Sequence, residues 1–158
     1  MSVDLETLLV DFREVARLAG IELSPNAITI EHSPAPHKPP KSLPAGKSAV
    51  YMFLWGAHCL KVGKAGPKSH ARFTSQHYNP ASSNSNLSKS LLAAEGQLSL
   101  PPVTEATVGD WVRLSTDRAH LLLDSTCPIA VLNLLEAFVQ CRLRPHFEGF
   151  ESQKPHVA

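Results

Sequence analysis

No acidic residue occurs between Glu31 and Glu95, a window that carries Lys38, Lys41, Lys47, Lys61, Lys64, Lys68, Arg72 and Lys89. A basic stretch without acids attracts polyanions, and phosphates are the commonest a soluble protein meets. Residues 1–31 set six acids against two arginines, and residues 95–158 set eight acids against five basic residues. The formal net charge of +1 therefore conceals a polarised chain. Other shortages narrow the field. Three cysteines with no CxxC spacing cannot all pair, which suits a reducing compartment and argues against a disulfide scaffold. They are too scattered, and His58 too close to Cys59, to suggest a zinc–thiolate site. No run approaches the ~20 apolar residues of a membrane-crossing helix. The first residues are acidic and amphipathic, without the cationic and apolar regions of a signal peptide, so the expected location is the cytoplasm.

A chain of 158 residues, 43% of them hydrophobic, is long enough to bury one ordinary core. Leu5, Leu8, Leu9, Phe12, Val15 and Ala19 recur at helical spacing, with Ser2 available as a start signal and Gly20 as a stop. Ile28–Ile30 has the residues of a short strand. Five prolines between Ser33 and Pro44 make a connector, either a linker or an arm that wraps the domain. Ser48–Trp55 and Cys59–Gly63 alternate around Gly56-Ala57-His58 and predict a hairpin. Helices are predicted over Pro67–Tyr78, Leu87–Ala94, Val108–Leu114 and Pro128–Leu143, the last stopped before Pro145, with a further strand over Ala119–Asp124. The expected fold is α+β: a small three-stranded antiparallel sheet flanked by helices, with an extra N-terminal helix. Its expected division is residues 1–46 for the first helix and Pro-rich connector, 47–150 for the main domain and 151–158 for a tail.

A few positions stand out for chemistry. With a three-residue hairpin loop, Trp55 faces Cys59, and Tyr51, Lys61 and Gly63 share one face of the sheet. An ammonium near a phenol favours phenolate, the direction a general base needs. The same residues also fit a half-buried strand tyrosine and a lysine snorkelling at an edge. Arg72, behind the Gly63-Lys64-Ala65-Gly66 loop, offers a planar fork for a phosphate diester, with Gln76 one turn on and His77 rotated from Arg72 but still within reach of a substrate. A surface arginine without a partner is the alternative. Glu136 falls on the apolar stripe of Ile129, Leu132, Leu135, Val139 and Leu143, where a carboxylate is costly unless paired or metal-bound. Arg72 or Lys61 could pair with it, or it could hold a divalent cation. Ala45-Gly46-Lys47-Ser48 looks like the end of a phosphate-binding loop, but position 41 is Lys rather than Gly and a strand follows instead of a helix.

Taken together these residues resemble the GIY-YIG endonuclease superfamily, over roughly residues 47–150. Ala49-Val50-Tyr51 is similar to its first motif, with Ala for Gly, and Lys61-Val62-Gly63 to its second, with Lys for Tyr. Arg72 stands at the helical arginine and Glu136 at the metal-binding glutamate. Two positions depart. Gln76 stands where the family often has His or Tyr, with His77 one step late, and Glu148 stands near a frequent asparagine. The resemblance implies phosphodiester hydrolysis assisted by one divalent metal, Mg²⁺ by preference, held by Glu136. It implies Tyr51 as base or positioner of water with Lys61 tuning it, Arg72 on the phosphate, and Lys64 and Lys68 on the nucleic-acid backbone. DNA is expected before RNA, and a homodimer is one way to cut both strands. A binding module without hydrolysis, and an interaction domain built on the first helix and arm, are the rival expectations.

Overall fold

The computed structural model describes residues 3–83, 86–94 and 96–147. Chain order is α1 (Leu5–Leu18), β1 (Ile28–Ser33), β2 (Lys47–Trp55), β3 (His58–Ala65), α2 (His70–Thr74), a 3₁₀ turn (Gln76–Tyr78), α3 (Leu87–Ala93), a second 3₁₀ turn (Gln97–Ser99), α4 (Val108–Ser115), β4 (Asp117–Asp124) and α5 (Ile129–Leu143). The fold is α+β, as expected, but its antiparallel sheet has four strands rather than three, in the order β1-β4-β2-β3. The extra strand is β1, which pairs with β4 from Ile28↔Leu123 to Ser33↔Arg118. The sequence marks residues 28–30 as a strand but not as a member of this sheet, because partners so far along the chain leave no local signal; as an edge strand β1 buries only its first residue fully. Residues 28–33 are thus built into the same sheet as the segment that follows residue 46.

Each face of the sheet carries its own apolar layer. Val50, Met52, Leu54, Val62, Ala119, Leu121 and Leu123 face α1 and α5. Leu8, Phe12 and Ala16 come down from α1 and Leu132, Leu135 and Val139 from α5, with the Phe12 and Phe138 rings 5.6 Å apart. Full burial of a side chain the size of Phe12 is worth about 1.5–3 kcal/mol, enough to seat a short amphipathic helix. That helix starts at Asp4, whose carboxylate accepts from the Thr7 N–H. It ends in a Schellman motif, with Gly20 at φ +76° and the Ile21 N–H donating to the Ala16 carbonyl. On the other face Ala49, Tyr51, Phe53, Ala65 and Leu122 pack against Phe73, Leu87, Leu91, Val108 and Val112 of the shorter helices.

The hairpin differs from expectation in a way that preserves its consequence. Trp55 pairs with His58, so the loop is two residues, Gly56-Ala57. A bulge then places Leu60 as an extra residue, and pairing resumes at Phe53↔Lys61 and Tyr51↔Gly63. The two-residue turn alone would have put Tyr51 and Lys61 on opposite faces; the bulge brings them back to one. The helix expected over 67–78 is broken, with α2 ending at Thr74 and a 3₁₀ turn following. The Pro-rich segment is an arm. The Ala35 N–H donates to Asp117, and the His37 N–H donates to the Arg113 carbonyl at the end of α4. After α5 the chain crosses the β3 edge, where the His146 and Phe147 N–H groups donate to the Cys59 and Leu60 carbonyls.

Candidate active site

Antiparallel register lines up two rows of side chains on the face covered by α2, α3 and α4. One row reads Glu31, His120, Tyr51 and Gly63 across β1, β4, β2 and β3; the next reads Ser33, Arg118, Phe53 and Lys61. All but Glu31 and Ser33 are buried, Tyr51 being 1% and Lys61 5% exposed. Gly63 is the floor under the Tyr51 ring, for a Cβ there would meet the hydroxyl oxygen, Cζ and Cε2 within 3 Å.

His77 reaches Tyr51 from the 3₁₀ turn, with Nε2 2.7 Å from the hydroxyl oxygen. Its Nδ1 accepts from the Leu87 N–H at the start of α3, 3.1 Å away, and its carbonyl accepts from the buried Ser88 hydroxyl. A neutral imidazole carries one proton, so with Nδ1 accepting, Nε2–H must donate to Tyr51. Burial holds the His77 pKa well below the ordinary value, and the charges of Lys61, Arg118 and Arg72 push in the same direction. His77 is therefore a fixed donor to the phenol oxygen rather than a proton acceptor from it.

Arg118 and its partners are what sequence reasoning missed. The Arg118 side chain donates to His120 Nε2 at 2.8 Å, to the Tyr78 hydroxyl at 2.8 Å and to the Phe73 carbonyl. His120 Nδ1 lies 3.2 Å from a Glu31 carboxylate oxygen, and burial, then the Arg118 and His37 charges, push its pKa down to about 3. His37 joins the far end, with Nδ1 2.7 Å from the Thr116 carbonyl and Nε2 2.9 Å from the Tyr78 hydroxyl. The available signal was the alternation of Arg118 and His120 beside Leu121-Leu122-Leu123, a pattern that elsewhere marks a solvent face.

The remaining candidates divide between surface and opposite face. Arg72 and Lys68 are exposed, on α2 and in the loop before it, and Gln76 is half-buried in the 3₁₀ turn rather than one helical turn from Arg72. Glu136 lies on α5 across the sheet from Tyr51. Its carboxylate is 2.7 Å from the Lys64 ammonium, so its partner is Lys64 and not Arg72 or Lys61. Alternation explains this: Lys64 follows Val62 on the α5-facing side of β3. Glu148 lies outside the described residues. Among the described residues there is no group of three or more His, Cys, Asp or Glu placed to share a metal ion, and no helix is long and apolar enough to cross a membrane. Comparison of the chain with protein-family models, with curated proteins and with solved structures gave no match.

Proposed function

We propose that this chain is a metal-dependent endonuclease of the GIY-YIG type, hydrolysing phosphodiester bonds in DNA in preference to RNA. The observation that carries the reading is the Tyr51–His77 pair, with 2.7 Å between the phenol oxygen and Nε2, set among described residues whose charges on His77, from Lys61, Arg118 and Arg72, are cationic. A phenol that receives a hydrogen bond from a neutral histidine among cations is disposed toward phenolate, the form that takes a proton from water. Arg72, exposed on α2, would fork onto a phosphate, and Lys68 would add a backbone contact beside it. Because β3 is an edge strand, a phosphodiester lying along it has Lys61 and Gly63 on one side and Lys64 with Glu136 on the other.

Glu136 would hold the metal. A single carboxylate fits Mg²⁺, which commonly takes one or two carboxylates and fills its shell with water and phosphate oxygens. The Lys64 ammonium on that carboxylate must first give way. When bound, the ion offsets the negative charge that grows on the leaving oxygen.

A second reading, a nucleic-acid-binding module without hydrolysis, is favoured by two observations: Tyr51 is 1% exposed, and Glu136 is engaged by Lys64. One experiment separates the two. Plasmid, linear duplex, branched and single-stranded DNA are incubated with wild type, Tyr51→Phe and Glu136→Ala, in Mg²⁺ or EDTA. Mg²⁺-dependent cutting lost in both variants is the expected result. Binding by wild type with no cutting on any substrate would overturn the nuclease reading in favour of the second.

A further inference from the structure

Arg118 is the largest fully buried side chain among the described residues, 1% exposed, and it donates to His120, the Tyr78 hydroxyl and the Phe73 carbonyl rather than to a described carboxylate. Its guanidinium carbon sits 5.0–5.8 Å from the ring centroids of Phe53, Phe73, Tyr51 and Tyr78. A buried cation held by rings, a carbonyl, a histidine and a phenol, with no carboxylate among these partners, is an expensive arrangement. Among the described residues, Glu31 reaches this network through His120, and its side chain is 53% exposed.

Proton accounting separates the two phenols that Arg118 faces. His37 Nδ1 can only donate to the Thr116 carbonyl, so its Nε2 accepts the Tyr78 hydroxyl proton, while the Tyr78 oxygen accepts from Arg118. Tyr78 is thereby fixed as a neutral phenol. Tyr51 is arranged the other way, its oxygen receiving Nε2–H of His77. Among the described residues, the groups that face Tyr51 include His77 from the 3₁₀ turn, Lys61 from β3 and Arg118 and His120 from β4, with Arg72 of α2 and Glu31 of β1 behind them.

We propose that Arg118 is a positioning residue for Tyr51: its buried charge, anchored by Tyr78, His120 and the Phe73 carbonyl, favours the ionised phenol at Tyr51. The base role of that phenol rests on the nuclease reading; the electrostatic effect does not.

The chain has two tyrosines, so protein labelled with [¹³Cζ]tyrosine gives two ring signals, assigned with Tyr78→Phe. Their pH titrations are compared in wild type, Arg118→Met and Arg118→Lys. In Arg118→Met, Tyr51 is expected to ionise about one to three pH units higher than in wild type, the usual effect of a cation within ~4–6 Å. Arg118→Lys is expected to restore most of the shift. Coincident Tyr51 titrations in folded wild type and Arg118→Met would overturn the proposal. If Arg118→Met does not fold, Arg118→Gln replaces it, removing the charge while keeping hydrogen-bonding atoms. Tyr51 is again expected to ionise at higher pH than in wild type, and an unmoved titration overturns the proposal. A shifted Tyr51 titration together with wild type that cuts no substrate would uphold the role of Arg118 and sink the nuclease reading alone.

Discussion

Gly63 lies so close beneath Tyr51 that a Cβ on it would stand 2.4 Å from the phenol oxygen and 2.6 Å from Cζ. The ring cannot retreat, because Phe53, Phe73 and His77 surround it with centroids 5.1–6.4 Å away. Gly63→Ala is therefore expected to destabilise the fold by about 1–3 kcal/mol, as over-packing of a rigid core does. In a double-mutant cycle by urea denaturation, Tyr51→Leu should recover part of that loss. Additive effects of the two substitutions would contradict the contact.

Three buried histidines predict an acid-labile fold. His37, His77 and His120 are all held below the ordinary histidine value, first by burial and then by neighbouring cations, with the Thr116 carbonyl opposing the shift at His37. A depressed histidine binds its proton in the unfolded chain before the folded one, so stability rises with pH across the gap. For His120 the gap runs from 6.5 down to about 3. Stability should be full above pH ~6.5 and fall below it, by up to ~1.4 kcal/mol per pH unit for each such histidine. Urea midpoints at pH 7, 6 and 5 check this, with His120→Gln expected to flatten the slope by about one proton.

Lys64 and Glu136 make a metal-sensitive pair. Lys64→Met leaves a nearly buried carboxylate without its cation, at an expected cost of about 1–2 kcal/mol after allowing for the exposure of the lysine. On the nuclease reading that carboxylate is then open to Mg²⁺. The ion should raise the melting temperature of Lys64→Met more than that of wild type, and cleavage should need less of it. Equal Mg²⁺ responses in thermal denaturation would count against Glu136 as the ligand.

Nucleic-acid affinity should be governed by exposed cations on the loop before α2 and on α2 itself. Lys68→Ala and Arg72→Ala are each expected to weaken DNA binding and to lower the slope of log affinity against log salt by about 0.9, one phosphate contact apiece. Fluorescence anisotropy from 50 to 200 mM salt reads both quantities. An unchanged slope would remove these residues from the interface.

Periodicity exposed the regular parts of this fold. The stripe of α1, the hairpin alternation and the Pro128 start of α5 are local signals, and the elements form where those signals stand. The face shared by Tyr51 and Lys61 was expected from a three-residue loop, which the structure does not have; a two-residue turn followed by a bulge at Leu60 gives the same face instead, a register that no local pattern announces. What sequence could not show is pairing across distance. Glu31 meets His120 and Lys64 meets Glu136 over separations of 89 and 72 residues, and no local pattern selects one partner over Arg72 or Lys61. Arg118 was hidden by the ordinary rule that charges belong outside, which the four surrounding rings suspend.

The bulge at Leu60 has a second effect, on solubility. It lets two successive carbonyls, of Cys59 and Leu60, point out of the sheet toward the returning chain, and the His146 and Phe147 N–H groups take both. A free edge strand is a template on which a second copy can add itself and start a ladder of intermolecular pairing. At the tip of β3 that template is already occupied by the chain's own backbone, so the irregularity that aligns Lys61 and Gly63 with Tyr51 also guards this edge against polymerisation.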